Sequence, residues 1–311
     1  LHKIFISNSI NPYFNLAFEE YLLNNISSKD NILFLWQNEN TIVIGRNQNP
    51  WKECNLEELK KQKGKLVRRL SGGGAVYHDL GNLNFTFISE YNEGIVKENV
   101  EKIIDVLILN GIKAEFNGKN DILSDGYKIS GNAYFIEDNM ICHHGTLLVE
   151  CDVEKMVRLL TVSQKKLESK GIDSIKSRVI NIKDLNNNIT VESLKIDLTK
   201  NLTDYNINYA FVDENKIESK DINLKTVIAL MKKYESWEWN FGASPEFNVE
   251  FNEKYSWGEI IIYLFIKDGK IMKVKSYTDA LDVNLPKKIE SLLLNTEFDD
   301  NKIEFLMKNI K

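Results

Sequence analysis

Apolar residues change their spacing along this chain, and the spacing predicts the elements. Ile32–Trp36 and Thr41–Ile44 are short apolar runs on either side of the polar segment Gln37–Asn40, a pattern that reads as two paired strands joined by a turn. Leu66-Val67 and Phe85–Ile88 read as strands flanking a glycine-rich stretch, and strands are predicted near 116–122, 127–136 and 140–149. Val100, Ile103, Ile104, Leu107 and Ile108 recur on one face of a helical wheel. They predict an amphipathic helix over about 97–109, closed by Gly111. Asn15 reads as the N-cap of a helix running through Ala17–Leu23, and further helices are predicted over Leu56–Lys63 and near 153–160, 190–203 and 223–234. Strands interrupted by helices without strict alternation predict an α+β fold with a mixed or antiparallel sheet.

Beyond Pro245 the pattern changes. Phe247–Phe251, Ile260–Lys267 and Lys270–Tyr277 read as three strands, the last two meeting at Asp268-Gly269, and Pro286 opens a final helical region. The expected division is therefore a large domain over 1–243 and a small α+β domain over 244–311. The connecting segment Trp239–Phe247 carries Gly242 and Pro245 and reads as a hinge, anchored by Trp237 and Trp239.

Composition narrows the function without naming it. The 311 residues carry a net charge of −5, without the basic footprint of a nucleic-acid binder. The run Lys60-Lys61-Gln62-Lys63-Gly64-Lys65 reads as a solvated helix C-terminus. The three cysteines, Cys54, Cys142 and Cys151, lack Cys-x-x-Cys spacing, which disfavours a disulfide framework or a zinc site. With no leader-like opening and no apolar run approaching a membrane span, no membrane partner is expected and the cytoplasm is the default location.

The chemistry lies in two stretches. The first is Arg68-Arg69-Leu70-Ser71-Gly72-Gly73-Gly74-Ala75-Val76-Tyr77-His78-Asp79, where two cations precede three glycines. Glycines let a backbone turn tightly and bring its N–H groups against phosphate. The run is neither a Walker A loop nor a dinucleotide fingerprint, and no helix follows it. A plain hairpin turn is the bland alternative. The second stretch is Asn120-Asp121-Ile122 with Asp125-Gly126-Tyr127-Lys128-Ile129-Ser130-Gly131-Asn132-Ala133. Lys128 alternates with Tyr127 and Ile129 on a strand, so its ammonium projects from the opposite face and can serve a carboxylate and a phosphate together. In His143-His144-Gly145-Thr146 the adjacent imidazoles point to opposite faces, so at most one faces a site.

Taken in order and spacing, these stretches resemble the lipoate–protein ligase A family. So do Asn11-Pro12-Tyr13-Phe14-Asn15-Leu16-Ala17-Phe18-Glu19-Glu20-Tyr21, Trp36–Pro50, Lys176-Ser177-Arg178-Val179 and Trp237–Pro245. The resemblance spans nearly the whole chain. It implies a biotin/lipoate ligase-like catalytic domain with a C-terminal accessory domain. It also implies activation of lipoate by ATP to lipoyl-AMP, followed by transfer to a lysine of a lipoyl-domain protein. That acceptor would be the glycine-cleavage H protein or the acyltransferase subunit of a 2-oxoacid dehydrogenase. On this resemblance Lys128 is the catalytic cation. Arg69, Gly72, Gly73, Gly74, Ala75, Val76, Tyr77, Asn82, Asp121 and Lys128 belong to ATP and lipoyl-AMP, while Ser71, His78, Lys128, Ala133 and His144 belong to lipoate. Mg2+ is expected with the pyrophosphate, and no resident metal site is expected. An octanoyltransferase working through a cysteine thioester is the nearest rival, but Glu115–Ile122 carries no thiol. A biotin–protein ligase would need a Gly-Arg-Gly-Arg-type loop. A non-catalytic lipoate- or carrier-binding paralogue would have little use for Arg69, the glycine run and Lys128 together.

Overall fold

The computed structural model describes residues 3–27, 29–160, 178–202, 208–241, 249–267 and 269–299, together with Ile303 and Leu306. Its strands are β1 (Lys3–Ser7), β2 (Ile32–Trp36), β3 (Thr41–Ile44), β4 (Lys65–Arg68), β5 (Val76–His78), β6 (Asn82–Glu90), β7 (Glu115–Phe116), β8 (Asp121–Ser124), β9 (Tyr127–Glu137), β10 (Met140–Leu148), β11 (Asn208–Val212), β12 (Val249–Tyr255), β13 (Gly258–Lys267) and β14 (Lys270–Thr278). A mixed eight-stranded sheet runs β11-β1-β2-β6-β10-β9-β8-β7, parallel only where β1 meets β11 and β2. A second sheet of order β4-β3-β5 carries the glycine-rich loop between two of its strands, and β12-β13-β14 form the sheet of the small domain. This is the α+β arrangement that the hydrophobic pattern predicts.

Alternation along β2 explains how the large sheet is covered. Ile32, Phe34 and Trp36 pack with Phe14 and Phe18 of the helix Pro12–Asn25. Leu33 and Leu35 face the other way, onto Val100, Ile103 and Leu107 of the helix Ile95–Leu109. With helices on both faces, β2 is apolar throughout. The small domain closes its own core from Ile260, Ile262 and Leu264 against Ile289 and Leu293 of the helix Leu285–Leu293. It is hydrogen-bonded to the large domain by Thr278 N–H to the Asn47 carbonyl at 2.8 Å and Asn47 Nδ2 to the Val283 carbonyl at 3.0 Å.

Several expectations need correction. β2 and β3 do not pair: β2 joins β1 and β6, whereas β3 lies between β4 and β5. Val43 packs into the core formed with the helix Pro12–Asn25, and Ile42 and Ile44 with Leu59, Leu66 and Tyr77, so β3 is buried on both faces in a separate sheet. The N-cap of the first helix is Asn11, with Pro12 in its first turn, where a missing N–H does no harm. Asn15 lies inside that helix, fully buried, donating to the carbonyls of Ser9 and Gln37 and to Asn38 Oδ1. The strand expected over 116–122 is a hairpin: Asn117 Oδ1 accepts from the N–H groups of Lys119, Asn120 and Asp121, and Gly118 takes φ of 78°. Of the expected hinge, Gly242, Pro245 and Phe247 lie outside the described residues, as do Lys176 and Ser177. Trp237–Asn240 is a short helix, and the first strand of the small domain begins at Val249 and continues to Tyr255. Among the described residues no helix is long and apolar enough to cross a membrane.

Candidate active site

The loop between β4 and β5 owes its shape to Arg69. The guanidinium is buried and donates from Nε to Ser71 Oγ (2.9 Å), from Nη1 to the Val43 carbonyl (3.3 Å) and from Nη2 to the carbonyls of Gly72 (2.7 Å) and Gly74 (2.8 Å). Turning the Gly74 carbonyl inward onto the guanidinium points the Ala75 N–H of the same peptide plane the other way, whereas the N–H opposite the Gly72 carbonyl, that of Gly73, is taken by the small domain. Burial pushes Arg69 down to about 10, still far above neutrality. The three glycines serve three ends. A Cβ on Gly72 would fall 2.3 Å from the Ala280 carbonyl oxygen of the small domain. Gly73 takes φ of 90°, a left-handed conformation that favours glycine, and its N–H donates to that same carbonyl at 3.1 Å. Gly74 faces open space, with nothing within 4 Å of a Cβ placed there.

Opposite the loop stands Lys128 on β9. Ile129 is fully buried but Tyr127 is exposed, so strict alternation does not hold here; β9 shifts register against β8, from Leu123↔Lys128 to Ile122↔Ser130. The backbone of Lys128 is held by Arg178 and Ile180, through N–H to the Arg178 carbonyl (2.7 Å) and Ile180 N–H to the Lys128 carbonyl (3.1 Å). Its Nζ lies 2.8 Å from Asp121 Oδ1, an ion pair too oblique to count as a hydrogen bond. The ammonium reaches along the sheet only because Gly131 has no side chain; a Cβ there would sit 2.9 Å from Nζ.

Loop and strand face one cavity of about 660 Å³, a volume ordinary for a small-molecule site. Leu16, Trp36, Val43, Val76 and Ala133 line an apolar part, and Arg69, Gly73, Gly74, Lys119, Asn120 and Lys128 a polar part. The small domain contributes Ser256, Trp257, Asp279 and Leu281. Ala75, His78 and His144 are also on the wall. Burial pushes His78 down to about 3, so it is neutral, with Nδ1 3.2 Å from Asn38 Nδ2. His143 points away, between Phe85 and Phe87, so one imidazole of the adjacent pair faces the cavity.

Five of the residues singled out in the sequence are not on this wall. Ser71 is fully buried beneath the loop, and Gly72 lies against Ala280. Tyr77 turns its ring into the core of the second sheet and places its hydroxyl 3.3 Å from Asn40 Oδ1. Asn82 is buried and spends its amide on Asn84 Oδ1 at 2.9 Å; Asn84, two residues on, is the one that lines the cavity. Asp121 enters only through Lys128. Missed were Asn84, Lys119 and the small-domain residues, while Asn120 and Thr146, inside stretches already singled out, had been given no role. Thr146 has a legible signal, because it follows His144 by two on the same strand face.

Also unforeseen is a buried hydrogen-bond chain behind the wall. The sequence offers no Ser-His-acid motif, yet Ser71 Oγ lies 2.7 Å from His144 Nε2, and His144 Nδ1 lies 2.9 Å from Glu19 Oε1. Thr86 Oγ1 donates to the same Glu19 oxygen at 2.7 Å and accepts from Trp36 Nε1 at 2.9 Å. Among the described residues, Glu19, Cys142 and His144 are the one cluster of metal-ligating types, and its carboxylate and imidazole are already bonded to each other.

A mixed sheet that presents a glycine-rich loop and a strand lysine to one cavity, with a small domain against the loop, is the arrangement of a two-domain lipoyl protein ligase. Residues 11–203 match the model of the lipoyl protein ligase A/B catalytic domain, and residues 244–311 that of the bacterial lipoate protein ligase C-terminus. The chain belongs to the lipoate–protein ligase A family. It is 40% identical over 297 residues to the lipoate-protein ligase A of Bdellovibrio bacteriovorus, covering 93% of this chain and 86% of that one. It is similar to the P. falciparum protein LipL1 solved in complex with lipoate, with a TM-score of 0.83 and 30% identity over 100% of this chain and 95% of that one. A lipoate-protein ligase A bound with ATP matches at a TM-score of 0.66 and 25% identity, covering 78% and 98%. The bipartite ligase of Thermoplasma acidophilum, described with its E2 lipoyl domain, matches at 0.68 and 25%, covering 80% and 98%.

Proposed function

We propose that this chain carries out the reaction of its family, the ATP-dependent attachment of lipoate to a lysine of a lipoyl-domain protein. A carboxylate does not acylate an amine directly, because oxide would have to leave. Attack of a lipoate oxygen on the α-phosphorus of ATP expels pyrophosphate and gives lipoyl-AMP; attack of the acceptor amine on its carbonyl then forms the amide and releases AMP and a proton. The observation that carries this reading is the meeting of Arg69, the open face of Gly74 and Lys128 around one cavity that continues into an apolar pocket. The apolar part suits an acyl chain and dithiolane, and the loop amides suit phosphate. Lys128, partly exposed and held by a single oblique contact, is free to bridge the lipoate carboxylate and the α-phosphate. In the second step it would stabilise the developing oxyanion.

Mg2+ comes with ATP as part of the substrate. Neither Asp121 nor Asn82 is placed to hold it: Asp121 Oδ1 is paired with the Lys128 ammonium at 2.8 Å, Asn82 is spent on Asn84, and neither residue lines the cavity. The thioester rival finds no nucleophile: Cys54, Cys142 and Cys151 are all buried, burial pushes each thiol up, and none lines the cavity. Lipoate-dependent exchange of pyrophosphate into ATP, followed by lipoylation of an isolated lipoyl domain, is the test. Exchange without lipoate dependence, or acyl transfer that needs no ATP, would overturn the proposal. The acceptor is open to the same assay, with a glycine-cleavage H protein and an E2 lipoyl domain compared side by side.

A further inference from the structure

Burying a carboxylate is expensive unless something is gained from its position. Glu19 is 2% exposed and Ser71 fully buried, and neither lines the cavity. Both nevertheless belong to an unbroken chain from Glu19 through His144 and Ser71 to Arg69, with links of 2.9, 2.7 and 2.9 Å. A guanidinium can only donate, so Ser71 Oγ accepts from the Arg69 Nε–H while it also shares a hydrogen bond with His144 Nε2, and His144 Nδ1 is bonded in turn to Glu19. Glu19 is also the charge that acts favourably on the buried guanidinium.

We propose that Glu19, His144 and Ser71 form a positioning relay that fixes Arg69, and through it the inward-turned carbonyls of Gly72 and Gly74, so that the loop amides are held ready for phosphate. The inference rests on the reading of the loop as the ATP site. Ser71 and Glu19 are positioning residues, because they act through Arg69 without reaching the cavity. Ser71 thereby exchanges the lipoate contact expected from resemblance for a role in nucleotide use. A relay of three linked hydrogen bonds holds the guanidinium in one rotamer, which a lone Arg–carbonyl cluster would do less well.

The test is the full chain carrying Glu19→Gln or Ser71→Ala, measured by lipoate-dependent pyrophosphate exchange at varied ATP, with lipoate binding measured separately without ATP. Misplacing a pre-organised loop costs on the order of 10- to 100-fold in kcat, with a rise in KM for ATP. Lipoate affinity should change by less than about twofold, since neither side chain touches that pocket. A merely structural role would lower the melting temperature and the active fraction while leaving KM for ATP unchanged, and that result overturns the relay. Loss of lipoate binding with normal ATP kinetics overturns it as well. Glu19→Gln keeps the shape of the native side chain, so it decides alone if Ser71→Ala does not fold. If neither folds, the chain is a folding element and the proposal falls. Lys128→Ala in the same assay separates the two levels. If it abolishes exchange while both relay variants behave as wild type, the site stands and the relay fails; a wild type without lipoate-dependent exchange removes both.

Discussion

Arg69 and Lys128 face the same cavity and carry the same charge, yet the structure treats them in opposite ways. Arg69 is buried, and its fork is committed to four acceptors within its own loop and sheet. Lys128 keeps its side chain one-third exposed, at 33%, with one carboxylate beside it. The difference follows from the two side chains. A planar guanidinium with five donors can organise a loop, and a compact ammonium on a flexible stem can follow a reacting group. One cation builds the loop, and the other, in the proposed reaction, is left to act in the cavity.

Removing the working cation should have the largest effect on rate and the smallest on folding. Lys128→Ala is expected to lower lipoyl-AMP formation by ~10²–10³ or more, because in the proposed reaction one ammonium serves carboxylate, phosphate and oxyanion. Its melting temperature should match the wild type, since an oblique, partly exposed ion pair adds little stability. Near-normal adenylation by this variant would erase the contrast.

Changing the building cation should do the reverse. Arg69→Lys keeps a charge but loses the fork, leaving carbonyls of Gly72 or Gly74 unsatisfied in a buried loop. A destabilisation on the order of 2–3 kcal/mol is expected, with weakened ATP use in whatever remains folded. Paired urea melts and ATP titrations would decide; unaltered stability would mean that the loop does not depend on its guanidinium.

The glycines sharpen the comparison within one loop. Gly74→Val points its side chain into open cavity, so ATP affinity should fall while the melt is unchanged. Gly72→Ala meets the Ala280 carbonyl and should loosen the small domain, visible as faster proteolysis between the domains. If Gly74→Val unfolds the chain as readily as Gly72→Ala, the loop is structural throughout.

How much of this was legible in the sequence depends on how locally each job is encoded. Arg69, the glycines and Lys128 sit in two contiguous stretches, and residue type and spacing were enough to single them out; Arg69, Gly73, Gly74 and Lys128 do meet at one cavity. The relay could not, because Glu19, Ser71, Thr86 and His144 come from four separate elements and meet only once the helix Pro12–Asn25 packs on the sheet. Strand partners were equally hidden for β2 and β3. Both are buried on both faces, so neither shows the period-two pattern that would indicate which neighbour covers it. The small-domain residues on the cavity wall required knowledge of a docking that no local pattern contains.

The smallest effect concerns pH and separates the cavity from the core behind it. His78 and His143 are both held down to about 3, against an ordinary value of 6.5, chiefly by burial. Above pH 6.5 both are neutral in folded and unfolded chains alike and contribute no pH dependence. As pH falls from 6.5 toward 3 the unfolded chain takes up protons that the folded chain refuses, so stability is lost in that window. Each histidine contributes at most about 1.4 kcal/mol per pH unit. His143 lies outside the cavity, between Phe85 and Phe87, with neither ring nitrogen hydrogen-bonded. His143→Leu should therefore remove its share of the slope and leave ATP and lipoate kinetics intact, read from urea denaturation at pH 7 and pH 5. His78 lines the cavity, so His78→Leu should remove a similar slope but also alter lipoate binding. Equal kinetic effects from the two variants would show that the sheet does not insulate the site from its core.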